Sequence, residues 1–245
     1  NLSNAINIIL LEIAYHIKPR PVIIGHSHSS GIRAMSSFME SFTKKSRHKI
    51  NALRLKRMKI EKWACSVPAG KWLWGDHFDC NNLIQNAIDA GHFQFDEKKR
   101  SAFRKYCGFR EDDKVVGFVG RLSVEKNPLF LVEILQKLKK MSAHYKLLIV
   151  GEGPLESELH KKAKQLHLES EVYFTGLCSD TADCYSAMDA FLLPSVYEGL
   201  PLVGIEAQAN SLPCFVSNHV APELNISNNV YFIPIDQGGE IWAQS

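Results

Sequence analysis

The 245-residue sequence has no C-x-x-C pair, no glycine-rich loop ending in Lys-Ser or Lys-Thr, and no apolar run long enough to span a bilayer. The first absence removes the usual spacing of a thiolate metal site or redox motif; the six cysteines are scattered, which fits reduced, mostly buried small hydrophobes better than a disulfide framework. The second removes the phosphate-cradling loop of P-loop nucleotide hydrolases. The third, with Glu12 breaking "NLSNAINIILLEIAYHIKPRP" and no basic lead or cleavage site, makes that stretch a helix, neither signal nor anchor. No internal repeat or low-complexity tract is present, and the composition is that of a globular chain long enough for two cores.

The net charge of +3 conceals an asymmetry. Asn1–Trp74 carries thirteen Lys and Arg against three acids, an excess of +10, and the remainder carries sixteen against 23, an excess of −7. The basic excess is densest at Lys44, Lys45, Arg47, Lys49, Arg54, Lys56, Arg57 and Lys59, interleaved with Ile50, Leu53, Met58 and Ile60. Such a stretch can meet an anionic membrane surface or be a solvated helix face. Nucleic acid is not expected, because no stacking aromatics or recognised binding motif accompany the charge.

Short apolar runs alternate with helical periodicity, the pattern of parallel sheets with crossover helices, and predict an α/β protein. "PVIIGHS", "KWACS" and "NLIQNAI" read as strands of a first domain over 1–91. "KVVGFVG", "YKLLIVG", "EVYFTG", "AFLLPS", "PCFVS" and "VYFIP" read as strands of a second over 92–245. The first domain is expected to be an incomplete Rossmann-like sheet and the second nearly complete, with edge elements missing from each.

Open parallel sheets bind ligands beyond the carboxyl ends of their strands, so the loops there carry the functional reading. Gly120-Arg121 and Lys126 follow "VVGFVG" and precede a helix near Pro128; two cations at a helix start suit a diphosphate, although a loop Arg and Lys taken alone are more often merely solvated. "GEGPLE" is a tight turn lining the cleft. Gly176-Leu177 could pass close to a flat ring, and Asp180 suits a helix cap. Glu198-Gly199-Leu200-Pro201-Leu202 leaves "AFLLPS" for a helix with Pro201 in its first turn; backbone amides and a positive helix end would face an anion or sugar there, and Gly199 would let a ligand approach. Glu198 and Glu206 can accept hydrogen bonds from hydroxyls, or be a helix-start and a solvent-facing carboxylate.

"FVGRLSVEKN", "LLIVGEGPLESEL", "VYFTGLCSD" and "YSAMDAFLLPSVYEGLPLVGIEAQA", in that order and with the Glu198-x7-Glu206 spacing, resemble the donor domain of retaining glycosyltransferases of the glycogen-synthase-like, GT-B-fold family. "HSHSSG", "WACSVPAGKWLWG" and "NAIDAGHFQFD" resemble more narrowly the bacterial enzymes that build capsular or extracellular polysaccharide. The resemblance implies two Rossmann-like domains and transfer of a hexosyl unit from a nucleotide sugar, UDP-linked, to a lipid-linked or oligosaccharide acceptor with retention. It implies that Arg121 and Lys126 hold the diphosphate and stabilise the leaving group. Glu198 would contact the donor sugar, Glu206 the ribose, Gly199 to Leu202 the sugar and phosphates, and Leu177 the base. His28 matches an amino-domain histidine that approaches the sugar, or is a loop histidine. No metal and no cofactor are expected, and a cytoplasmic place, peripheral on the inner membrane face, follows from the acceptor. Two departures, a short amino-terminal domain and no closing carboxyl-terminal helix, favour one rival, a binding remnant without turnover; a further rival is a nucleotide-sugar epimerase on the same fold. A phosphorylase would want a lysine for pyridoxal phosphate, which no stretch suggests.

Overall fold

Residues 8–19, 21–31 and 38–245 are described by the structure, a computed structural model. Contacts divide the chain into two units, one running to Asn86 and taking in Tyr197–Leu200, the other comprising Ala87–Val196 and Pro201–Ser245. The division at Asn86–Ala87 precedes the expected cut at His92, and Tyr197–Leu200, expected in the second domain, group with the first unit.

The first unit contains α1 (Ile9–His16), β1 (Ile24–Ser27), α2 (Phe38–Arg57), β2 (Glu61–Ala64) and α3 (Val67–Trp74). β1 and β2 are parallel, with Ile24 opposite Glu61 and Ser27 opposite Ala64. Leu55, Ala64, Cys65, Ala69 and Leu73 are fully buried and form its core. α3 starts where sequence chemistry puts a start: the Ser66 hydroxyl accepts the Ala69 amide at 3.3 Å, with Pro68 in the first turn. "NLIQNAI" does not form the expected strand. It makes one bridge, Leu83 to Ala64, and then leaves the ladder. Its polar residues are used otherwise: the Asn86 amide donates to the Leu200 carbonyl at 2.7 Å.

The second unit is a six-stranded sheet of β3 (Lys114–Val119), β4 (Tyr145–Val150), β5 (Val172–Phe174), β6 (Ala190–Leu193), β7 (Cys214–Ser217) and β8 (Val230–Ile233), in the order β5-β4-β3-β6-β7-β8. All five pairings are parallel. This is a doubly wound sheet whose order reverses between β3 and β6, where such sheets open a crevice. The connecting helices are α4 (Glu97–Cys107), α5 (Pro128–Met141), α6 (Glu156–Gln165), α7 (Ala182–Ala187), α8 (Leu202–Ala209) and α9 (Gly238–Gln244). α5 shows why they form. Leu131, Ile134, Leu135 and Leu138 recur at helical spacing and are buried, each contributing about 1.5–3 kcal/mol, while Lys137, Lys139 and Lys140 stay off the core. Asp96 caps α4 by accepting the Lys98 and Lys99 amides, and Gly108, at φ 74°, ends it.

All six cysteines are free thiols, three buried, two half-buried and Cys80 exposed, so the expectation of burial holds for only part of the set. Burial pushes the Cys107 and Cys214 thiols up to about 12, which makes them packing groups rather than nucleophiles.

In the first unit His48 is buried and stacks on Trp72 with centroids 4.5 Å apart. Burial lowers its pKa below the ordinary value, against a hydrogen bond that the ring donates to the Trp72 backbone, which raises it. An unfolded chain takes up that proton near pH 6.5 and the folded one does so only at lower pH, so stability is lost as pH falls below about 6.5. Thermal melts between about pH 7.5 and 5.5 should therefore show a falling midpoint whose slope is shallower in His48→Gln; an unchanged slope in that variant would remove His48 from the account.

Candidate functional site

The carboxyl edge of the second sheet is laced by backbone. Beyond the last strand residues, the Gly120 amide donates to Val150 at 2.9 Å, Leu122 to Glu152 at 2.9 Å, Leu155 to Leu122 at 3.0 Å, and Gly151 to Gly176 at 2.9 Å. The loops leaving β3, β4 and β5 thus run against one another. A side chain at Gly151, held at φ 123°, would overlap the Gly120 backbone, and one at Gly153 would overlap that of Leu122. "GEGPLE" is therefore a coupling turn, its glycines demanded by neighbouring backbone. Gly176, at φ 68°, turns the chain so that Leu177 stands 76% exposed, an apolar platform in the open.

Arg121 and Lys126 lie on the loop held in this way. Arg121 is exposed, whereas Lys126 ends a 3-10 turn over Val124–Lys126 and runs its stem past Gly120. Asn127 follows in the left-handed conformation at φ 52°, and Pro128 opens α5. Two cations therefore precede the amino end of a fourteen-residue helix, whose amides and dipole add positive potential.

Pro201 is the N-cap of α8 rather than a first-turn residue, at φ −72° and ψ 121°. Its extended ψ keeps it outside the helix, and the helical residues begin at the 44% exposed Leu202. Glu206, one turn into α8, is half-buried and held from beneath: the Tyr185 hydroxyl donates to its Oε2 at 2.7 Å and lies 3.2 Å from the Val203 carbonyl. Tyr185 is completely buried between Phe93 and Phe191. Burial first, and then the Glu206 charge, push its pKa well above the ordinary value, so the phenol stays a donor. Gln208 fixes the same helix, donating to the Gly204 and Leu224 carbonyls and accepting the Ile226 and Ser227 amides. Neither residue stood out in the sequence. The available signal was a tyrosine inside the otherwise small and apolar "YSAMDAF", since a buried phenol needs a partner.

Glu198, Gly199, Leu200 and His28 belong to the first unit. Ser30 donates to the Glu198 carbonyl at 2.5 Å and Asn86 to that of Leu200. A side chain at Gly199 would meet the His28 carbonyl oxygen at 2.5 Å and the Cys65 sulfur at 3.2 Å. The glycine is thus required by protein backbone, a different reason from the close ligand approach read in the sequence. His28 packs 4.2 Å from the His26 ring and has a buried, unpartnered Nε2. Burial and then the neighbouring His26 lower its pKa, favouring a neutral ring at pH 7. Of the residues expected to converge, Arg121, Lys126 and Glu206 belong to the second unit and Glu198 to the first. Arg121, Lys126, Leu177 and Glu206 are on the carboxyl side of the second sheet, and Glu198 and His28 are in the first unit. Asp180 accepts the Ala182 amide at 3.0 Å and pairs with His92 at 2.9 Å, but the N-cap of α7 is Thr181, one residue beyond the expected cap. Among the described residues one group of potential metal donors comes together, Asp112, Asp113 and His144, just ahead of β3 and β4 on the opposite edge.

Residues 99–237 match the family described as glycosyl transferases group 1. The chain belongs to that family. It is 28% identical over 243 residues to the putative glycosyltransferase EpsF of Bacillus subtilis, covering 96% of this chain and 61% of that protein. It is 32% identical over 140 residues to an Escherichia coli UDP-Gal:alpha-D-GlcNAc-diphosphoundecaprenol alpha-1,3-galactosyltransferase, covering 56% of this chain and 36% of that one. Among solved structures, Anabaena HepE in complex with UDP-glucose superposes with a TM-score of 0.77 at 20% identity, over 97% of this chain and 64% of that one. The group 1 chain has the α/β fold with a parallel sheet of the GT-B glycosyltransferases, and it spans less than two thirds of these relatives.

Tyr185→Phe should lower stability by about 2 kcal/mol, the scale of a buried hydrogen bond to a charged group. In urea unfolding, Tyr185→Phe and Glu206→Gln together should cost less than their sum by about 0.5 kcal/mol or more, because they delete one contact; strict additivity would contradict the pairing.

Proposed function

We propose that this group 1 protein transfers a hexosyl unit from a UDP-sugar, with retention at the anomeric carbon, to a lipid-linked or oligosaccharide hydroxyl in the synthesis of a surface polysaccharide. The observation that carries this reading is the rigidly laced Gly120–Lys126 loop, which brings two cations to the start of α5 at the point where the sheet order reverses. A diphosphate is the ligand such a loop suits: doubly negative, with oxygens for a bidentate guanidinium and a point-charge ammonium. Arg121 and Lys126 would bind it in the ground state and stabilise it more strongly as charge accumulates on the departing phosphate, which is how fixed charges lower a barrier. Glu206, steadied by Tyr185, would accept the ribose hydroxyls, and Leu177 would lie against the base. In this reading Gly120, Gly199, Leu200, Pro201 and Leu202 contribute backbone to the donor, Glu198 contacts the sugar, and a neutral His28 donates a hydrogen bond to it. Arg121, Lys126 and helix ends would replace a divalent cation, so the reaction is expected to run without metal.

The galactosyltransferase relative, named for UDP-Gal and a diphosphoundecaprenol-linked sugar, supports a sugar-nucleotide donor and a lipid-linked acceptor. Donor binding without turnover is a second reading, and an epimerase on this fold is the third.

Calorimetry with UDP should show binding that Arg121→Ala and Lys126→Ala each weaken by about 10-fold or more, as expected for loss of a charge-assisted contact worth about 1.5–3 kcal/mol. Unchanged affinity in both variants would refute the diphosphate assignment. UDP release from UDP-sugars only when membrane extract is added supports transfer, binding without release supports the second reading, and interconversion of UDP-sugars without UDP release supports the third.

A further inference from the structure

We propose that the outward face of α2 is a docking surface for an anionic lipid bilayer. Its helix has two unlike sides. His48, Asn51, Ala52 and Leu55 are buried against the first unit, and with about 100° between successive residues they define one face. On the opposite face Phe42 is 61% exposed, Ile50 61% and Leu53 58%. Three large apolar groups on one exposed helix face are an unusual expense unless something covers them.

The cations are arranged around that apolar strip. By helical position Lys45, Lys49 and Lys56 run along one border, Arg47 and Arg54 along the other, and Arg57 near the middle; each of the six is exposed. α2 holds seven Lys and Arg in twenty residues against a single acid in its sequence, Glu40. α1 extends the surface: Ile9 is 54% exposed, Leu10 82% and Ile13 56%, and a groove lined by Ile13, Ile17, Arg54, Arg57 and Met58 joins the two helices. Arg54 pairs with Glu12 at 2.6 Å, which ties α1 to that border.

This charge pattern selects the occupant. An apolar strip with lysines and arginines on both sides lets the apolar groups enter the acyl boundary while the long cationic side chains reach the headgroups. A second copy of the same face would set cation against cation, and a nucleic acid would leave Ile50 and Leu53 without a use. Among the described residues no helix is long and apolar enough to cross a membrane, so α2 would lie along the interface. The inference rests on α1 and α2 alone and stands whether or not the second unit binds a UDP-sugar.

The test is flotation of the full chain with vesicles of phosphatidylcholine alone and of phosphatidylcholine mixed equally with phosphatidylglycerol. The chain should float with the anionic vesicles, remain below with the neutral ones, and be released by added salt. Lys45→Gln, Lys49→Gln and Lys56→Gln combined should weaken binding about a hundred-fold, at about five-fold per cation. Phe42→Ser with Leu53→Ser should weaken it about ten-fold or more without altering far-UV circular dichroism, since both side chains are exposed. Failure to float with anionic vesicles, equal binding to both vesicle types, or full binding by either variant would overturn the proposal. So would self-association of the chain that the Phe42→Ser, Leu53→Ser variant abolishes, which would assign the face to a protein contact.

Discussion

The close approach of Gly151 to the Gly120 backbone is the constraint on which the rest of the carboxyl edge of the second unit's sheet depends. Two glycines permit adjacent strands to continue hydrogen bonding after their ladders end, so the loops behind β3, β4 and β5 act as one body. A loop bearing Arg121 and Lys126 would otherwise have to be ordered when a ligand binds, at about 1–2 kcal/mol per residue of backbone entropy. In the proposed reading that cost would be met during folding, with the cations placed before an anion arrives.

The same economy governs the two acids. Glu206 is a carboxylate half out of water, and an unsupported one would swing between rotamers. The buried Tyr185 hydroxyl fixes one of its oxygens and leaves further lone pairs for a partner in solvent. Glu198 is managed by main chain instead: its carbonyl takes the Ser30 hydroxyl, and its neighbour Gly199 fits flush against His28. The two glutamates of one short motif are thus steadied by different units, the first through backbone packing and the second through a core phenol.

Periodicity sufficed for the second sheet, because each of its strands is a short apolar run followed by a loop that begins with glycine, proline or a small polar residue, and such signals are local. It failed at "NLIQNAI", where an apolar start looks like a strand but Asn86 serves a tertiary hydrogen bond that no local pattern encodes. Arg121, Lys126 and Glu206 were legible as candidates from spacing, resemblance and position after a strand. The reason for Gly199, the N-cap place of Pro201, and the tie from Tyr185 to Glu206 were not, because each depends on a partner between 21 and 171 residues distant or on a single ψ angle. The assignment of Tyr197–Leu200 to the first unit is of the same kind.

Amide hydrogen exchange with and without UDP tests the central claim most directly. A laced edge that holds a nucleoside diphosphate should gain protection on UDP addition in Gly120–Asn127, in Gly176–Asp180 and at the start of α8, with little change at the Asp112, Asp113 and His144 edge. Protection confined to that opposite edge, or none in the three loop segments at saturating UDP, would contradict it.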